Sequence, residues 1–386
     1  MTRRNDNLDK VLAHSAESLD INLDTYQLIE AIYGGVAEFL AQFWDLDDVE
    51  GVVYPQGSVP LGTVTKKIYR DDQVDVDSVV LRHLATHQVS QAQLKADVGD
   101  GLKQYLSTDP FGDPDLTEGK RCWTLTYGEL NMHLDALPAL PNPASLTGTG
   151  IKITDKSLFR WQYSDPKAFR QWFFDRMADE YATRREVLAK RMDVEQIPRP
   201  MIKTTLQQAV QLLKIHRDVH FCDNPDDKPA SIIITTLAAL AYFSGGGLYE
   251  VLEQLTRDMP TYIQRESGMY VLRNPVEQNE NFADRWNARP RRARAFFDWI
   301  AQAGTDFSAI ARAGGLHGAI SKMGEVLGPR QATYAADKYG TAGWTAARSG
   351  TMRYAPTTGI ITTGTAATGR LVNPNHSFHG DVDARP

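Results

Sequence analysis

Cysteine is nearly absent from this chain of 386 residues, which contains only Cys122 and Cys222. Two cysteines exclude a disulfide framework and any zinc module built on paired CxxC knuckles, and they fit a reducing compartment. Also lacking is an apolar run long enough to cross a bilayer, and the opening MTRRNDNLDKVLAHSAESLD holds no apolar stretch of a secretory leader. A cytoplasmic protein with no membrane partner is expected. There is no surplus of positive charge. Lys and Arg number 42 against 48 Asp and Glu, a net charge of −6, which argues against generic binding to duplex DNA while leaving room for a local basic cleft. No internal repeat is visible. What is present is the composition of a globular protein, 42% hydrophobic and 9% aromatic, long enough for two packed lobes.

The pattern of elements changes along the chain. In LDTYQLIEAIYGGVAEFLAQFW, Leu28, Ile32, Val36, Leu40 and Phe43 recur at helical spacing, with Asp20 or Asn22 as the cap. GVVYPQGS reads as a short strand ending in Gly57-Ser58, and QVDVDSVVL as a second, valine-rich strand. A helix over about 90–106 precedes a hairpin of RCWTLTY and ELNMHLDALPAL, with Gly128 near its turn and Pro138, Pro141 and Pro143 ending the sheet. From about 165 the signal is helical. DPKAFRQWFFDRMADEYATRREVLAKRM reads as one long amphipathic helix, MIKTTLQQAVQLLKIHRDVHF as another, and SIIITTLAALAYF as a central buried one. Further helices are expected over roughly 277–303 and 315–327, and the last forty residues, rich in Gly, Thr and Ala, as a loosely structured arm. Strands first and helices after predict an α+β fold: a catalytic core over 1–160, a helical lobe over 161–330 and a C-terminal arm or tail over 331–386.

Two acids stand where a buried strand should be apolar. Asp75 and Asp77 are two apart, so they point the same way, roughly 7 Å from one another along the backbone. Burying two carboxylates side by side requires a compensating charge. Acidic gatekeepers on a solvated edge strand are the plain alternative, but valines flank both acids and Asp135 interrupts another strand-like stretch, MHLDALPAL. Hard divalent cations supply the charge: Mg²⁺ takes oxygen ligands and is usually held by one or two carboxylates plus substrate phosphates. A third carboxylate completes a two-metal arrangement for phosphoryl or nucleotidyl transfer. Gly57 lets the backbone approach a phosphate, and the Ser58 hydroxyl and neighbouring N–H groups can bind its oxygens. Thr63, Thr65, Lys66 and Lys67 follow closely enough to line the rim. Lys214 interrupts the apolar register of its helix, and its point-charge ammonium suits a phosphate tail.

Gly57-Ser58, Asp75-Val-Asp77 and the lone Asp135 together resemble the DNA polymerase β-like nucleotidyltransferase superfamily. LQQAVQLLKIHRD, KPASIIITTLAAL and NPVEQNENFADRW narrow the match. They are similar to the helical-lobe motifs of bacterial cyclic GMP-AMP synthase-like enzymes, the CD-NTases of anti-phage CBASS systems, relatives of animal cyclic GMP-AMP synthase and oligoadenylate synthase. The resemblance covers about residues 20–300. It implies a polymerase β-like palm of mixed sheet and flanking helices, with an oligoadenylate synthase-like C-terminal helical lobe and the active site in the cleft between them. It also implies Gly57 and Ser58 on the donor phosphates, and Asp75, Asp77 and Asp135 as catalytic ligands of two Mg²⁺ ions, with Mn²⁺ able to substitute. Asp135 is further implied as a general base for the acceptor hydroxyl, Lys214 as a contact to the donor triphosphate, and Ser231 as its neighbour. Asn274, Pro275, Asn281, Phe282 and Trp286 are implied to shape the base pocket and the lobe packing. A helix N-cap is the ordinary reading of Ser231 and is compatible with the implied one.

Other motifs carry less. His216 and His220 stand one turn apart with Cys222 nearby, but a structural zinc site needs four closed ligands, and no zinc is expected. His83 and His87 have the same spacing and no third partner. TGTGIK lacks the Gly-Lys-Ser/Thr ending of a phosphate loop. Relatives carry C-terminal extensions, some used for attachment to another protein, yet this chain ends DVDARP without a terminal glycine.

The resemblance therefore implies a Mg²⁺-dependent enzyme that condenses NTPs, ATP expected among them, into a cyclic di- or trinucleotide second messenger with release of pyrophosphate. The product would activate an anti-phage effector, and a regulatory protein is a possible partner. The alternatives are a template-independent RNA or tRNA nucleotidyltransferase, and a non-catalytic nucleotide-sensing module.

Overall fold

The computed structural model describes residues 2–66, 73–154, 160–192, 198–348, 352–355 and 360–363. Its first half holds α1 (Thr2–Glu17), α2 (Leu23–Phe43), β1 (Val53–Gln56), the single turn α3 (Ser58–Leu61), β2 (Val74–Leu81) and α4 (Gln91–Tyr105). β3 (Asp115–Glu118), β4 (Trp123–Tyr127), β5 (Met132–Pro141), β6 (Ile151–Ile153) and β7 (Gln162–Ser164) follow. These seven strands form one sheet in the order β1-β2-β5-β4-β3, with β6 on the far end of β5 and β7 beyond it. β2 is central, antiparallel to β1 and parallel to β5.

The period of two in β2 divides its side chains between two environments. Val76 and Val80 face α2 and α4 in a core with Ile32, Leu40, Val98 and Leu102. Asp75, Asp77, Val79 and Leu81 take the other face. Val79 and Leu81 are covered there by Tyr54, Ile151 and Ile153, while the two acids occupy the open end. Asn22 caps α2 by accepting from Thr25 N, and Ser90 and Gln93 form a reciprocal capping box on α4.

The second half is helical: α5 (Pro166–Asp175), α6 (Ala178–Met192), α7 (Thr205–His220), α8 (Ser231–Ala241) and α9 (Leu248–Asp258). A hairpin of β8 (Gln264–Glu266) and β9 (Met269–Val271) leads to α10 (Asp284–Ala288), α11 (Pro290–Arg312), α12 (Gly315–Val326) and α13 (Pro329–Arg348), and the last strands are β10 (Met352–Ala355) and β11 (Ile360–Thr363). α7 and α8 lie at the centre of a core that includes Trp299, Phe173, Phe296 and Phe307.

The structure corrects several sequence expectations. α1 does not belong with the sheet: Leu8, Val11, Leu12 and Ala16 are buried in the helical core, and Asp9 Oδ1 accepts from Tyr249 N. The stretch from Asp165 is two helices, parted at Arg176 and Met177, because Arg176 reaches the carbonyls of Ala239, Leu240 and Tyr242 while Met177 turns into the core. β5 runs through Pro138 to Pro141. The carbonyls of Pro138 and Ala139 accept from Thr154 N and Arg82 N, so acceptors carry the pairing where the imide nitrogen cannot donate. The helix expected from about 277 starts at Asp284, preceded by a turn held by Asn281. The arm expected from 331 begins inside α13, whose Ala332 and Ala335 are buried in the helical core. NPNHSFHGD and the chain end lie outside the described residues.

Candidate active site

The parallel register sets Asp77 opposite Asp135 and Asp75 opposite His133, which brings the three acids to one face of two adjacent strands. Asp135 Oδ1 accepts from Thr124 Oγ1 at 2.5 Å on the next strand, and Ser78 Oγ donates to the Asp135 carbonyl at 3.0 Å. Burial, then the charges of Asp135 and Asp75, push the Asp77 carboxyl up to about 6. A nearby cation would reverse that effect.

Gly57 lies directly above. Its φ of +69° is left-handed, and a Cβ there would stand 2.3 Å from Asp77 Oδ2. The glycine is required because the backbone runs against the carboxylate. Ser58 opens α3, and the chain then passes under α7 through Gly62, Thr63 and Val64. The expected rim residues divide: Thr63 is buried, Thr65 lines the cavity, and Lys67 is outside the described residues.

A cavity of about 650 Å³ is lined by Gly57, Ser58, Asp75, Asp77, Lys214 and Ser231, among others. Residues from 57 to 231 thus meet in one cleft between sheet and helices. Lys214 is 4% exposed, and its Nζ donates to Thr63 O at 3.0 Å and Thr63 Oγ1 at 3.1 Å. Burial, then the nearby Arg217 guanidinium, lower its ammonium to about 7. Ser231 is the first residue of α8, not its cap, which is Ala230. Its Oγ accepts from Arg217 Nη1 at 2.9 Å. Arg217 also lines the cavity and was not among the expected residues, although its position one turn after Lys214 was a usable signal.

A second cavity, about 700 Å³, adjoins the first and shares Gly57, Leu61, Asp77, Ala230 and Ile232 with it. Aromatic Trp161, Tyr163, Phe169 and Phe282 line it, with Asn274, Asn281 and Glu280. Glu280 was not anticipated. Its Oε2 accepts from Asn274 Nδ2 at 2.7 Å and Ser164 Oγ at 3.2 Å, and burial raises its carboxyl to about 7. Trp286 packs in the helical core instead of the cavity wall.

The motifs set aside earlier have structural places. His216 accepts from Trp299 Nε1 at Nδ1, which leaves Nε2 to donate to Asp306. The hydroxyls of Thr147 and Thr149 in TGTGIK donate to Asp165, the N-cap of α5.

No family model matches the chain. A curated c-di-GMP synthase of Roseivirga ehrenbergii is 28% identical over 316 residues, covering 80% of this chain and 81% of that protein. The solved structure of the Bradyrhizobium diazoefficiens CD-NTase CdnG in complex with GTP superposes with a TM-score of 0.67 at 21% identity, covering 86% of this chain and 99% of the other. The chain is similar to CD-NTases in sequence and in fold. The Escherichia coli MS115-1 CdnC:HORMA-deltaN complex shares the fold of this chain at a TM-score of 0.61 and 14% identity, covering 83% of this chain and 97% of the other. The mixed sheet with flanking helices is the architecture that the family resemblance implied.

The acids of this site fit a hard cation in donor type and in charge. Among the described residues, no three His, Cys, Asp or Glu side chains close around one point tightly enough to hold an ion alone. Among the described residues, no helix is long and apolar enough to cross a membrane.

Proposed function

We propose that this protein is a CD-NTase that condenses nucleoside triphosphates into a cyclic di- or trinucleotide with release of pyrophosphate. The observation that carries the reading is the single cavity in which Gly57, Ser58, Asp75, Asp77, Lys214 and Ser231 meet. Asp75, Asp77 and Asp135 would hold Mg²⁺, which when bound supplies charge neutralisation at the α-phosphate and the leaving pyrophosphate. Gly57 and Ser58 bind the donor phosphates, and Lys214 adds a cation to the tail with Ser231 beside it. An acceptor ribose hydroxyl attacks the α-phosphate, its proton passing to a carboxylate oxygen of Asp135. The aromatic second cavity, open to the first at Gly57 and Asp77, offers stacking surface for the acceptor base. Catalysis is then positioning and electrostatics.

Similarity to a c-di-GMP synthase and to a GTP-bound CD-NTase supports GTP as a substrate, beside the ATP expected earlier. The fold shared with the CdnC:HORMA complex supports a regulatory protein partner. The product acts as a second messenger on an anti-phage effector in the cytoplasm. The test is incubation of purified protein with α-³²P-labelled NTPs and Mg²⁺, with products identified by mass spectrometry. Phosphatase-resistant cyclic product is expected from the wild type and none from Asp75→Ala/Asp77→Ala. Phosphatase-sensitive ladders on added RNA would replace the reading with RNA-end extension.

A further inference from the structure

Four consecutive carbonyls leave α3 beneath the helical lobe, and each accepts from a side chain of that lobe. Gln207 Nε2 donates to Leu61 O at 2.9 Å, Lys203 Nζ to Gly62 O at 2.8 Å, Lys214 Nζ to Thr63 O at 3.0 Å and Gln211 Nε2 to Val64 O at 2.7 Å. Residues 207, 211 and 214 share one face of α7 at i, i+4 and i+7 spacing. Gln207 is 2% exposed and Gln211 is 0%. Amides so buried are costly unless bonded, and leucine would fill the same space in a core that needed only packing.

The glycines make the arrangement specific. A Cβ at Gly62, whose φ is +66°, would stand 2.5 Å from Gln207 Nε2, just as one at Gly57 would strike Asp77. The turn bearing Ser58 is therefore pinned at one end to the carboxylate strand and at the other to α7. Gln211 Nε2 also donates to Asp20 Oδ1 at 2.7 Å, while its Oε1 is buried without a partner. Gln207 Oε1 accepts from Thr204 N, the other half of the α7 capping box.

We infer that Gln207 and Gln211 are positioning residues for the donor triphosphate. They hold Leu61 and Val64 on α7 while Lys214 exchanges Thr63 for a phosphate oxygen, so that Gly57-Ser58 keeps its place against Asp77. The inference rests on the proposed use of this cavity for the triphosphate.

The test is calorimetric titration of the full chain with Mg·GTP. Gln211→Met removes the clamp on Val64, and Gln207→Glu keeps the helix cap while removing the donor to Leu61. Each is expected to weaken binding about ten-fold with an unchanged circular dichroism spectrum. In a Ser58→Ala background, Gln211→Met is expected to cost less than three-fold, because the residue acts through Ser58. Additive losses, or unchanged affinity with only a lowered melting point, overturn the inference. Should either glutamine variant fail to fold, Lys203→Met tests the same clamp at Gly62 from a less buried position: a loss of about three-fold is expected, and none overturns the idea. Wild-type affinity in both Lys214→Met and Ser58→Ala would instead reject the triphosphate reading itself.

Discussion

A carboxylate that burial and two like charges push up to about 6 is a group the fold tolerates for a purpose. The unfolded carboxyl ionises near 3.8, so the penalty is absent below that pH, grows as pH rises through 6 and is complete above it. That shift corresponds to at most roughly 3 kcal/mol. Asp77→Asn should therefore raise the melting point at pH 7.5, with the gain vanishing toward pH 4, while nucleotide condensation falls by more than about 100-fold. Differential scanning fluorimetry across pH beside the product assay checks both. A variant that loses stability at pH 7.5 would show that Asp77 is not repelled. Lys214 presents the mirror case. Its ammonium is lowered to about 7 while bonded to Thr63, and a phosphate bound beside it would charge it fully. Triphosphate binding at pH 8 should take up a proton, seen as a buffer-dependent calorimetric enthalpy, and Lys214→Met should abolish that uptake and weaken binding about ten-fold.

At the scale of elements, the decisive piece is one helical turn, Ser58–Leu61, between two left-handed glycines. Gly57→Ala adds a methyl against Asp77 Oδ2 and strains the backbone by about 1–2 kcal/mol. Activity should fall by more than about 100-fold, with a melting point only a few degrees lower. A methyl accommodated without loss of activity would mean that the turn does not need to touch the carboxylate. The strand carrying the acids was legible because valines at Val76, Val79 and Val80 leave no ordinary reason for Asp75 and Asp77. α7 was legible from its apolar stripe. Its glutamines were not, since an amide in a helical pattern looks solvated until the carbonyls of a distant loop are placed against it. The break at Arg176 was equally hidden, because apolar spacing continues across it while the guanidinium bonds to carbonyls more than sixty residues away.

For the whole molecule, the unexpected member is α1. It lies first in the chain and packs against α7, α9, α12 and α13. Leu8, Val11 and Leu12 are buried there, and losing large apolar side chains at about 2–5 kcal/mol each approaches the total stability of a domain. A chain starting at Leu19 should be largely insoluble or show a melting point lowered by more than about 10 °C, measured by scanning fluorimetry. Retention of the native melting point would reassign α1 to a dispensable arm.

The sequence by itself determined the candidate groups, because carboxylates in an apolar strand, a glycine before a serine and a lysine in the apolar register of a helix contradict local preference, and such contradictions can be read locally. Tertiary structure alone decided which of these groups meet. The parallel pairing of β2 with β5 aligned Asp77 with Asp135, and α7 crossing the 61–64 segment brought Lys214 to Thr63 and two glutamines to bare carbonyls. Those contacts join residues some 60 to 150 positions apart. Their energy comes from satisfying buried polar groups, a requirement that exists only once the chain has closed over them.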